Sequence, residues 1–473
     1  MLFNSFQYII FFPIVVFIYF LLPKVKQRRL MLLGASWFFY MAWKPEYIFL
    51  LLLSTSVDYF VALKMFKVTE KKKRNFYLIL SLTVNLLILF GFKYFTFFDK
   101  NIHRFFGQFI FFDKFISDNI ILPVGISFYT FQTMSYTIDV FKKKLKPEKD
   151  FVKFALFVSF FPQLVAGPIE RASHLLKQFD KKFSFDYHRV TSGLKLIFWG
   201  FFQKIVIADN MSRFVEAVYS NPGKYYGLDV ILVTFFFSIQ IYGDFSGYTD
   251  IARGSAKIMG IDIRRNFNLP YFAKSFADFW RRWHISLSTW FRDYVYIPLG
   301  GNRSGNKFRF AFNIFATFIL SGFWHGASWN FIIWGTLHGI YYTVERYLRK
   351  FQKKKEQKIS FLKKTLKMIF IFIAVNFAWI FFRSKSVMIA LTLIKNTFNF
   401  SQIKISFDHK SMLINLLLIL LLFVVHLIER HKDIVTYISE KTVFVRWSVY
   451  YVMFILLFIF GNFGIKEFIY FQF

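Results

Sequence analysis

Residues 313–339 read NIFATFILSGFWHGASWNFIIWGTLHG, an apolar and aromatic stretch that contains no Lys, Arg, Asp or Glu. A helix that crosses a bilayer needs about 20 apolar residues, so this stretch predicts helical structure within a membrane. Similar apolar runs recur on both sides of it, separated by short basic links. The sequence therefore predicts an all-α integral membrane protein.

Composition supports the same fold class. The 473 residues are 56% hydrophobic and only 19% charged, and the mean hydropathy is +0.42. A water-soluble chain of this length carries more charge. We expect a polytopic bundle of roughly 11–13 membrane helices, including re-entrant segments, with no large soluble domain.

The basic residues are clustered between the apolar runs. Lys and Arg number 61 against 27 Asp and Glu, a net charge of +34, with clusters at 24–29, 71–74 and 142–146. Cytoplasmic loops of membrane proteins carry such clusters. The positive charge therefore indicates membrane topology and does not indicate a nucleic-acid partner. The chain has no cysteine, which excludes disulfides, thiolate metal sites and an acyl-cysteine intermediate.

Apolar runs define the predicted membrane segments. They lie at 6–22, 30–43, 46–63, 76–98, 120–141, 190–207, 230–242, 308–323, 330–348, 366–382, 412–427 and 445–460. The first run has basic residues after it but none before it, so it lacks the basic leader of a cleavable signal. We expect it to remain as the first helix, with the N-terminus outside the cytoplasm.

Two further segments are predicted to depart from simple spans. Pro162, Gly167 and Pro168 break the apolar run 151–168, which has basic flanks on both sides. This pattern favours a re-entrant segment buried in protein. The basic, amphipathic stretch 349–367 is predicted to be a cytoplasmic surface helix. We find no internal repeat of the kind that many transporters contain.

His325 is an ionisable residue in the middle of the apolar stretch that opens this section. An ionisable group at such depth indicates a functional site. On a continuous helix, Ser321 and Ser328 would share its face, while Gly322 would allow close approach of a backbone or a substrate. Trp324 would contribute to aromatic surroundings. The alternative is a structural histidine satisfied by a neighbouring helix.

A second cluster, DFWRRWHISLSTWFRDYVYIP, covers residues 278–298 and centres on His284. It is too charged to cross a bilayer and too aromatic for an open loop, which indicates a protein-lined cavity. On one helical face, Arg281, His284 and Ser288 would lie together, and Arg282 and Arg292 could receive phosphates. The alternative is an interfacial helix with aromatic residues and snorkelling arginines.

The two histidines favour acid–base chemistry. They lie far apart in sequence without a nearby third ligand, so we predict no metal site. A neutral buried imidazole can act as a general base on an attacking hydroxyl, which gives acyl transfer without a covalent enzyme intermediate. His338, about 220° around an ideal helix from His325, and His426, near a basic end, are predicted to be structural.

The segment YGDFSGYTDIARGSAKIMG, residues 242–260, places Asp244, Asp250 and Arg253 near the end of a predicted apolar span. Its glycines predict tight packing or a bend. Two interpretations stay open: a helix-packing motif with a local Asp–Arg pair, and a segment that lines the substrate site.

Several long motifs together resemble the membrane-bound O-acyltransferase family, and more narrowly its bacterial alginate O-acetyltransferase branch. They are LLGASWFFYMAW (32–43), LPVGISFYTFQTMSYTIDV (122–140), FPQLVAGPIER (161–171), DFSGYTDIARG (244–254), NFNLPYFAKSFADFWRRWHISLSTWFRDYVYIPLGGNR (266–303) and SGFWHGASWNFIIWG (321–335). After Arg349 the resemblance is limited to hydropathy.

The resemblance implies helices around a central acyl-transfer tunnel, with the family histidine at His325 and its partner at His284. It also implies acetyl transfer from cytosolic acetyl-CoA, with no tightly bound cofactor, to an extracytoplasmic polysaccharide. An SGNH-type protein outside the bacterial cytoplasmic membrane usually serves as partner. Arg281, Arg282 or Arg292 would hold the phosphates of acetyl-CoA. Ser288, Ser321, Trp324 and Asp250 are the further candidate binding residues.

On this basis residues 1–473 are predicted to form one acyltransferase domain. It would comprise N-terminal helices (1–150), a catalytic core (151–348), the connector (349–367) and C-terminal helices (368–473). One alternative is D-alanyl transfer from a carrier protein to teichoic acid. Another is a non-catalytic transporter or exporter subunit, which buried histidines would also permit. The acceptor stays open between alginate-like exopolysaccharide and peptidoglycan.

Overall fold

Helices account for the regular structure of this chain. The computed structural model describes residues 1–106, 122–303, 306–351, 360–400, 405–464 and 468–469, and within these ranges no β-strand occurs. The prediction of an all-α protein is confirmed.

The α-helices are numbered in chain order, with three π-helical and five short 3₁₀ segments between or beside them. The α-helices are α1 (Phe6–Leu21), α2 (Val25–Met41), α3 (Ile48–Lys67), α4 (Lys71–Leu89), α5 (Phe95–Phe106), α6 (Ile126–Phe141), α7 (Phe151–Ser159), α8 (Phe161–Leu164), α9 (Ala172–Leu175), α10 (Tyr187–Phe201), α11 (Asp209–Ser220), α12 (Leu228–Ile258), α13 (Phe276–Arg282), α14 (Ile285–Phe291), α15 (Lys307–His325), α16 (Trp329–Phe351), α17 (Phe361–Arg383), α18 (Val387–Thr397), α19 (His409–Glu429), α20 (Ile434–Ser439) and α21 (Val443–Phe460). The π-helical segments are Phe90–Tyr94, Phe202–Ala208 and Arg292–Tyr296, and the 3₁₀ segments are Pro45–Tyr47, Leu176–Asp180, Pro222–Lys224, Pro270–Phe272 and Gly301–Arg303.

Seven helical stretches within the described ranges are long and apolar enough to cross a membrane. They are Pro45–Lys67, Lys71–Arg104, Tyr187–Ser220, Leu228–Ile258, Phe361–Arg383, His409–Glu429 and Val443–Phe460. Two shorter apolar helices, α1 and α18, accompany them. None of the residues of α21 is buried against the rest of the chain, as expected of a helix that contacts lipid. The chain is a multi-pass membrane protein.

Some predicted boundaries differ from the structure. The apolar run predicted to end at Tyr242 continues to Ile258, so Asp244 and Asp250 lie inside α12 and not near its end. Helix α18 was not predicted. The predicted surface helix 349–367 begins within α16 and ends within α17. Its middle part, 352–359, lies outside the described residues. Residues 120–121, the start of another predicted span, also lie outside them.

Contacts divide the chain into two compact units. Unit 1 comprises Met1–Leu194 with Ala252–Arg264, and unit 2 comprises Lys195–Ile251 with Arg265–Phe473. The predicted division at residues 150, 348 and 367 concerns functional segments and stays a prediction.

A polar network lies in the interior of unit 1. The fully buried carboxylate of Asp58, on α3, accepts hydrogen bonds from Ser81, from Thr137 at 2.7 Å and from Asn85 at 2.8 Å. These donors come from α4 and α6. A buried polar group that is fully hydrogen-bonded specifies one arrangement of its helices, so the network fixes how α3, α4 and α6 pack.

The broken segment of unit 1 is enclosed by protein. Helix α7 ends at Ser159, and α8 restarts at Phe161 with Pro162 in its first turn. Residues 153–172 are all buried. Interrupted backbone at membrane depth is tolerated only inside protein, so burial agrees with the prediction made from the two prolines. The re-entrant topology itself stays a prediction.

Glycine permits close packing of two helices in unit 2. A Cβ atom added to Gly247, on α12, would lie 2.5 Å from the carbonyl oxygen of Gly200, on α10. Such a contact is impossible without movement of the backbone. Gly247 therefore supports the interpretation of residues 242–260 as a helix-packing motif.

We expect Gly247→Ala to lower the free energy of unfolding by about 1–3 kcal/mol, because an added methyl group overpacks the interface. Gly34→Ala is the matched control, since a Cβ at Gly34 would have no atom within 4 Å. Thermal denaturation of the detergent-solubilised variants measures the effect. Equal melting temperatures of both variants would contradict the close approach.

A carboxylate cluster outside the candidate membrane spans links the end of the broken segment to residues 262–264 of unit 1. The fully buried Glu170 contacts His174 Nδ1 at 3.0 Å and accepts a hydrogen bond of 2.6 Å from the backbone N–H of Arg264. The hydrogen bond that His174 donates to Glu170 raises the pKa of His174 above its usual value, against the opposing effect of burial and of the Arg264 charge.

This cluster makes the stability of unit 1 depend on pH. Because the folded state raises the pKa of His174, the stabilisation is complete below the unfolded-state pKa and is lost as pH rises through the folded-state pKa. His174→Gln should lower the melting temperature more at about pH 6 than at about pH 9. The exposed His188 provides the control variant His188→Gln. An effect of His174→Gln that is the same at both pH values would contradict the pairing.

Candidate active site

His284 lies at a break between two short helices of unit 2. Helix α13 ends at Arg282, and His284 adopts a left-handed conformation with φ of +41° before α14 begins. Asn266 fixes this turn, because its carbonyl oxygen accepts from Ile285 N–H at 2.9 Å and its Oδ1 accepts from Ser286 N–H at 3.3 Å. The left-handed conformation is strained for a residue with a side chain, and the turn holds the imidazole in a fixed place.

His325 is the last residue of α15, where the helix ends at an extended Gly326. Close packing brings the next helix, α16, against this end: a Cβ atom on Gly322 would lie 2.1 Å from the carbonyl oxygen of Phe331. Only glycine permits this approach. The side chain of His325 is thereby enclosed by the end of one helix and the start of another.

The structure brings the two predicted histidines together. Their ring centroids are 6.5 Å apart, and His284 and His325 are 0% and 3% exposed. Trp324 contacts both rings, with centroid distances of 6.1 Å to His284 and 4.9 Å to His325. Two adjacent imidazoles buried among aromatic rings can exchange protons with one bound substrate.

Further aromatic rings complete the wall around the pair. Phe245 packs edge-on against His284 at 4.6 Å, and Trp334 and Phe382 pack edge-on against His325 at 5.1 Å and 5.2 Å. These rings exclude water and fix the orientation of the imidazoles.

Two predicted helical faces are wrong. Arg281 and His284 do not share a helix, because α13 ends between them, and the Arg281 side chain is 73% exposed whereas His284 is buried. Ser288 donates through its hydroxyl to the carbonyl oxygen of Trp283 at 3.1 Å. Ser321 lies on α15 with His325, but Ser328 lies beyond the helix end.

The predicted phosphate-binding arginines are at the surface of unit 2. Arg282 pairs with Asp278 at 2.9 Å, and Arg281 lies 4.0 Å from the same carboxylate. Arg292 is 59% exposed and pairs with Asp293 at 2.8 Å. Arg281 and Arg292 are exposed and Arg282 is half-buried. Ion pairs at a surface are weak in water, so an incoming anion can compete for the guanidinium groups.

The remaining predicted residues have defined surroundings. Ser321 and Trp324 are buried on α15. Asp250 accepts a hydrogen bond of 3.1 Å from Gln203, and Asp244 pairs with Lys204 at 2.8 Å. Asp244 is therefore paired with a residue from outside the segment 242–260. The local Asp–Arg pair within this segment stays a prediction.

His338 lies on α16 and shares an aromatic neighbour, Trp334, with His325. Because α15 and α16 are separate, the Trp334 ring lies 5.1 Å from His325 and 4.9 Å from the fully buried His338. Trp280 also lies 4.9 Å from His338. The prediction that separated His338 from His325 by their angle around one helix is wrong, because the two residues lie on different helices. The structural role of His338 stays a prediction. His426 shares a hydrogen bond of 3.0 Å with Tyr242.

Two residues of this region were not predicted. Asn266 fixes the His284 turn and is fully buried, a role that no local pattern indicates. Lys204 lies inside a predicted span and is buried between two carboxylates. A lysine within a membrane span is itself a signal of function, and the sequence prediction did not use it.

Comparisons with known proteins identify the family. The family model for membrane-bound O-acyltransferases matches residues 74–392, a range that includes both histidines. A probable alginate O-acetylase of Azotobacter vinelandii is 36% identical over 413 residues, covering 86% of this chain and 80% of the relative. A peptidoglycan O-acetyltransferase of Helicobacter pylori is 36% identical over 427 residues, with coverage of 84% and 79%.

A more distant similarity is to a teichoic acid D-alanyltransferase of Bacillus subtilis, which is 32% identical over 248 residues and covers 50% of this chain and 62% of the relative. The three relatives are named for acyl transfer, to alginate, to peptidoglycan and to teichoic acid respectively. The prediction of an O-acyltransferase is confirmed. The alternative of a non-catalytic transporter subunit is therefore set aside. The chain belongs to the membrane-bound O-acyltransferase family.

Proposed function

We propose that this membrane O-acyltransferase moves an acetyl group from cytosolic acetyl-CoA to hydroxyls of an extracytoplasmic polysaccharide, either an alginate-like exopolysaccharide or peptidoglycan. The relatives named for O-acetylation align with 84–86% of the chain, against 50% for the D-alanyltransferase. The observation that carries the chemistry is the buried pair of imidazoles 6.5 Å apart.

In the proposed mechanism, His325 is the general base. It accepts the proton of the acceptor hydroxyl while the hydroxyl oxygen attacks the thioester carbonyl carbon. The carbon–sulfur bond then breaks, and the departing sulfur takes the proton from His325, so that an ester and a thiol leave. His284 orients the acceptor or polarises the carbonyl through a ring N–H. No covalent enzyme intermediate is needed.

Donor binding is assigned to the exposed arginines. Arg281, Arg282 and Arg292 present guanidinium groups that can make paired hydrogen bonds to the phosphates of acetyl-CoA. Ser288, Ser321, Trp324 and Asp250 are proposed to line the route of the substrates. No tightly bound cofactor and no metal enter this mechanism.

The proposed topology places donor and acceptor on opposite sides. The chain would lie in the cytoplasmic membrane of a bacterium, with its N-terminus outside and its basic clusters inside. The acetyl group would reach the polymer directly or through an SGNH-type extracytoplasmic protein. The core at 151–348 would carry the chemistry within the single domain.

His325→Ala should reduce ester-linked acetate by about 100-fold or more, the usual contribution of a general base. Acetate released by mild base is measured separately in purified extracellular polymer and in peptidoglycan, for cells that express each variant at matched abundance. The exposed His431 provides the control variant His431→Ala. The fraction that loses acetate identifies the acceptor.

Two outcomes of the same comparison would change the proposal. Normal acetate in every fraction of His325→Ala cells would contradict acetyl transfer, and D-alanyl esters of teichoic acid would then be measured as the alternative product. Loss of acetate in His325→Ala but not in His284→Ala cells would restrict His284 to a packing role.

Asn266 is proposed as a positioning residue. Asn266→Ala leaves the Ser286 N–H without its acceptor and should lower kcat about tenfold through misplacement of His284, with a smaller effect on KM for acetyl-CoA. Asn266→Asp keeps an acceptor oxygen and should restore most of kcat. The exposed Asn302 gives the control Asn302→Ala. Equal kcat for the Ala and Asp variants would argue against positioning by this oxygen.

A further inference from the structure

Two basic segments of unit 1 meet beside the end of α1. Residues 22–29 follow α1, and residues 181–189 follow the 3₁₀ segment Leu176–Asp180. The first segment contains four Lys and Arg residues and the second contains three, against a single acidic residue, Asp186. Arg28 joins the two segments, because its Nη1 donates to the carbonyl oxygen of Phe183 at 2.6 Å. The positive-inside rule assigns such segments to the cytoplasmic surface.

Arg28 is a buried cation. It is only 5% exposed, and its Nε donates to the carbonyl oxygen of Leu22 at 2.8 Å. The guanidinium carbon lies 4.7 Å from the centre of the Tyr19 ring. Backbone carbonyls and an aromatic face offset part of the cost of removing the charge from water, but they do not neutralise the charge.

The acidic side chains of this neighbourhood contact other groups. The contacts are Asp150 with Arg29 at 2.9 Å, Asp180 with Lys153 at 2.6 Å, Asp262 with His174 at 3.7 Å, and Asp186 with the backbone N–H of Arg189 at 2.6 Å. Within the described part of the chain, no carboxylate lies at ion-pair distance from the guanidinium group of Arg28. A ligand that neutralises this charge must therefore be an anion.

A narrow cavity of about 10 Å³ lies between α1, α2 and the residues that follow the broken segment. Three cations line it, Arg28, Arg29 and Lys181, and its lining contains no carboxylate. Gln178 also lines it and is held in place by hydrogen bonds of 2.7 Å and 3.0 Å with the backbone of Asp262. A cavity of this volume admits one water-sized group, which is the size of one phosphate oxygen.

The surroundings of the cavity suit a lipid. An exposed apolar stripe runs along α1 and ends one residue before Leu22; it consists of Phe6, Ile9, Ile10, Ile14, Phe17 and Leu21. Phe185 lies outside the candidate membrane spans, is 62% exposed, and packs its ring 5.8 Å from that of Phe20. Exposed apolar patches mark contact with a membrane or a partner. Here the patch leads along a membrane helix to the cations, so its partner is an amphiphile with a negative head.

We propose that this cavity binds the phosphate group of an anionic phospholipid of the cytoplasmic leaflet. One phosphate oxygen accepts charge-assisted hydrogen bonds from Arg28 and Lys181, and the acyl chains lie along α1. A zwitterionic headgroup binds less well, because its ammonium group meets the same cations. Basic pockets between membrane helices on the cytoplasmic side commonly bind lipid headgroups. The bound lipid links α1 and α2 to residues 178–185 and thereby stabilises unit 1.

Lipid binding is measured on the purified, detergent-solubilised full chain by native mass spectrometry. The protein is titrated with phosphatidylglycerol or with phosphatidylcholine of the same acyl chains, and we expect phosphatidylglycerol to bind more tightly. Lys181→Gln should weaken the binding of phosphatidylglycerol about tenfold, the effect of one lost charge-assisted hydrogen bond. Because Lys181 is exposed, its substitution leaves the core of unit 1 intact.

Lys182→Gln is the matched control. It removes the same charge from the next residue, which is also exposed but does not line the cavity, and it should bind phosphatidylglycerol like the wild type. A ligand that binds only the folded protein raises its melting temperature, so phosphatidylglycerol should stabilise the wild type and Lys182→Gln more than Lys181→Gln. Equal affinity for the two lipids, or an equal loss of binding in both variants, would overturn the inference.

Soluble phosphates are distinguished from lipid in the same melting experiment. Inorganic phosphate and acetyl-CoA are each added in place of the lipid. If either raises the melting temperature of the wild type but not of Lys181→Gln, while phosphatidylglycerol does not distinguish the two, the cavity binds a soluble phosphate and the lipid assignment is wrong. These measurements need no acyl transfer, so failure of the acetyl-transfer proposal in His325→Ala cells would leave the lipid site standing.

Discussion

Unit 2 is organised around the enclosure of two imidazoles beside each other and away from water. Removal of a polar ring from water is unfavourable unless the protein compensates for it. Here the compensation comes from edge-on aromatic contacts, with Phe245 against His284 and Trp334 against His325. The neutral form of an imidazole is the one that can accept a proton.

Breaks in the helices make this arrangement possible. A side chain in the middle of a regular helix is confined to one face, whereas His284 lies in a left-handed turn and His325 lies at a helix end. Asn266 satisfies the backbone of the first break. At the second, Gly322 allows α16 to approach α15 until only a glycine fits. The chain thus uses local departures from helix geometry where membrane proteins otherwise avoid them.

The sequence predicted the elements that follow from hydropathy and local composition. The all-α membrane fold, the break near Pro162 and the burial of His284 and His325 could be inferred because apolar length, proline chemistry and the cost of buried charge are local properties. The helical faces around both histidines were predicted incorrectly, because the ends of α13 and α15 depend on contacts with Asn266 and Phe331 from elsewhere in the chain.

Long-range pairing explains the other differences. The sequence prediction considered only a local Asp–Arg pair within residues 242–260, whereas Asp244 pairs with Lys204 from a preceding helical segment. Periodicity shows which residues share a helix face but not which helix lies opposite. Lys204 lies in the π-helical segment Phe202–Ala208. A pattern based on regular helices does not predict such a segment.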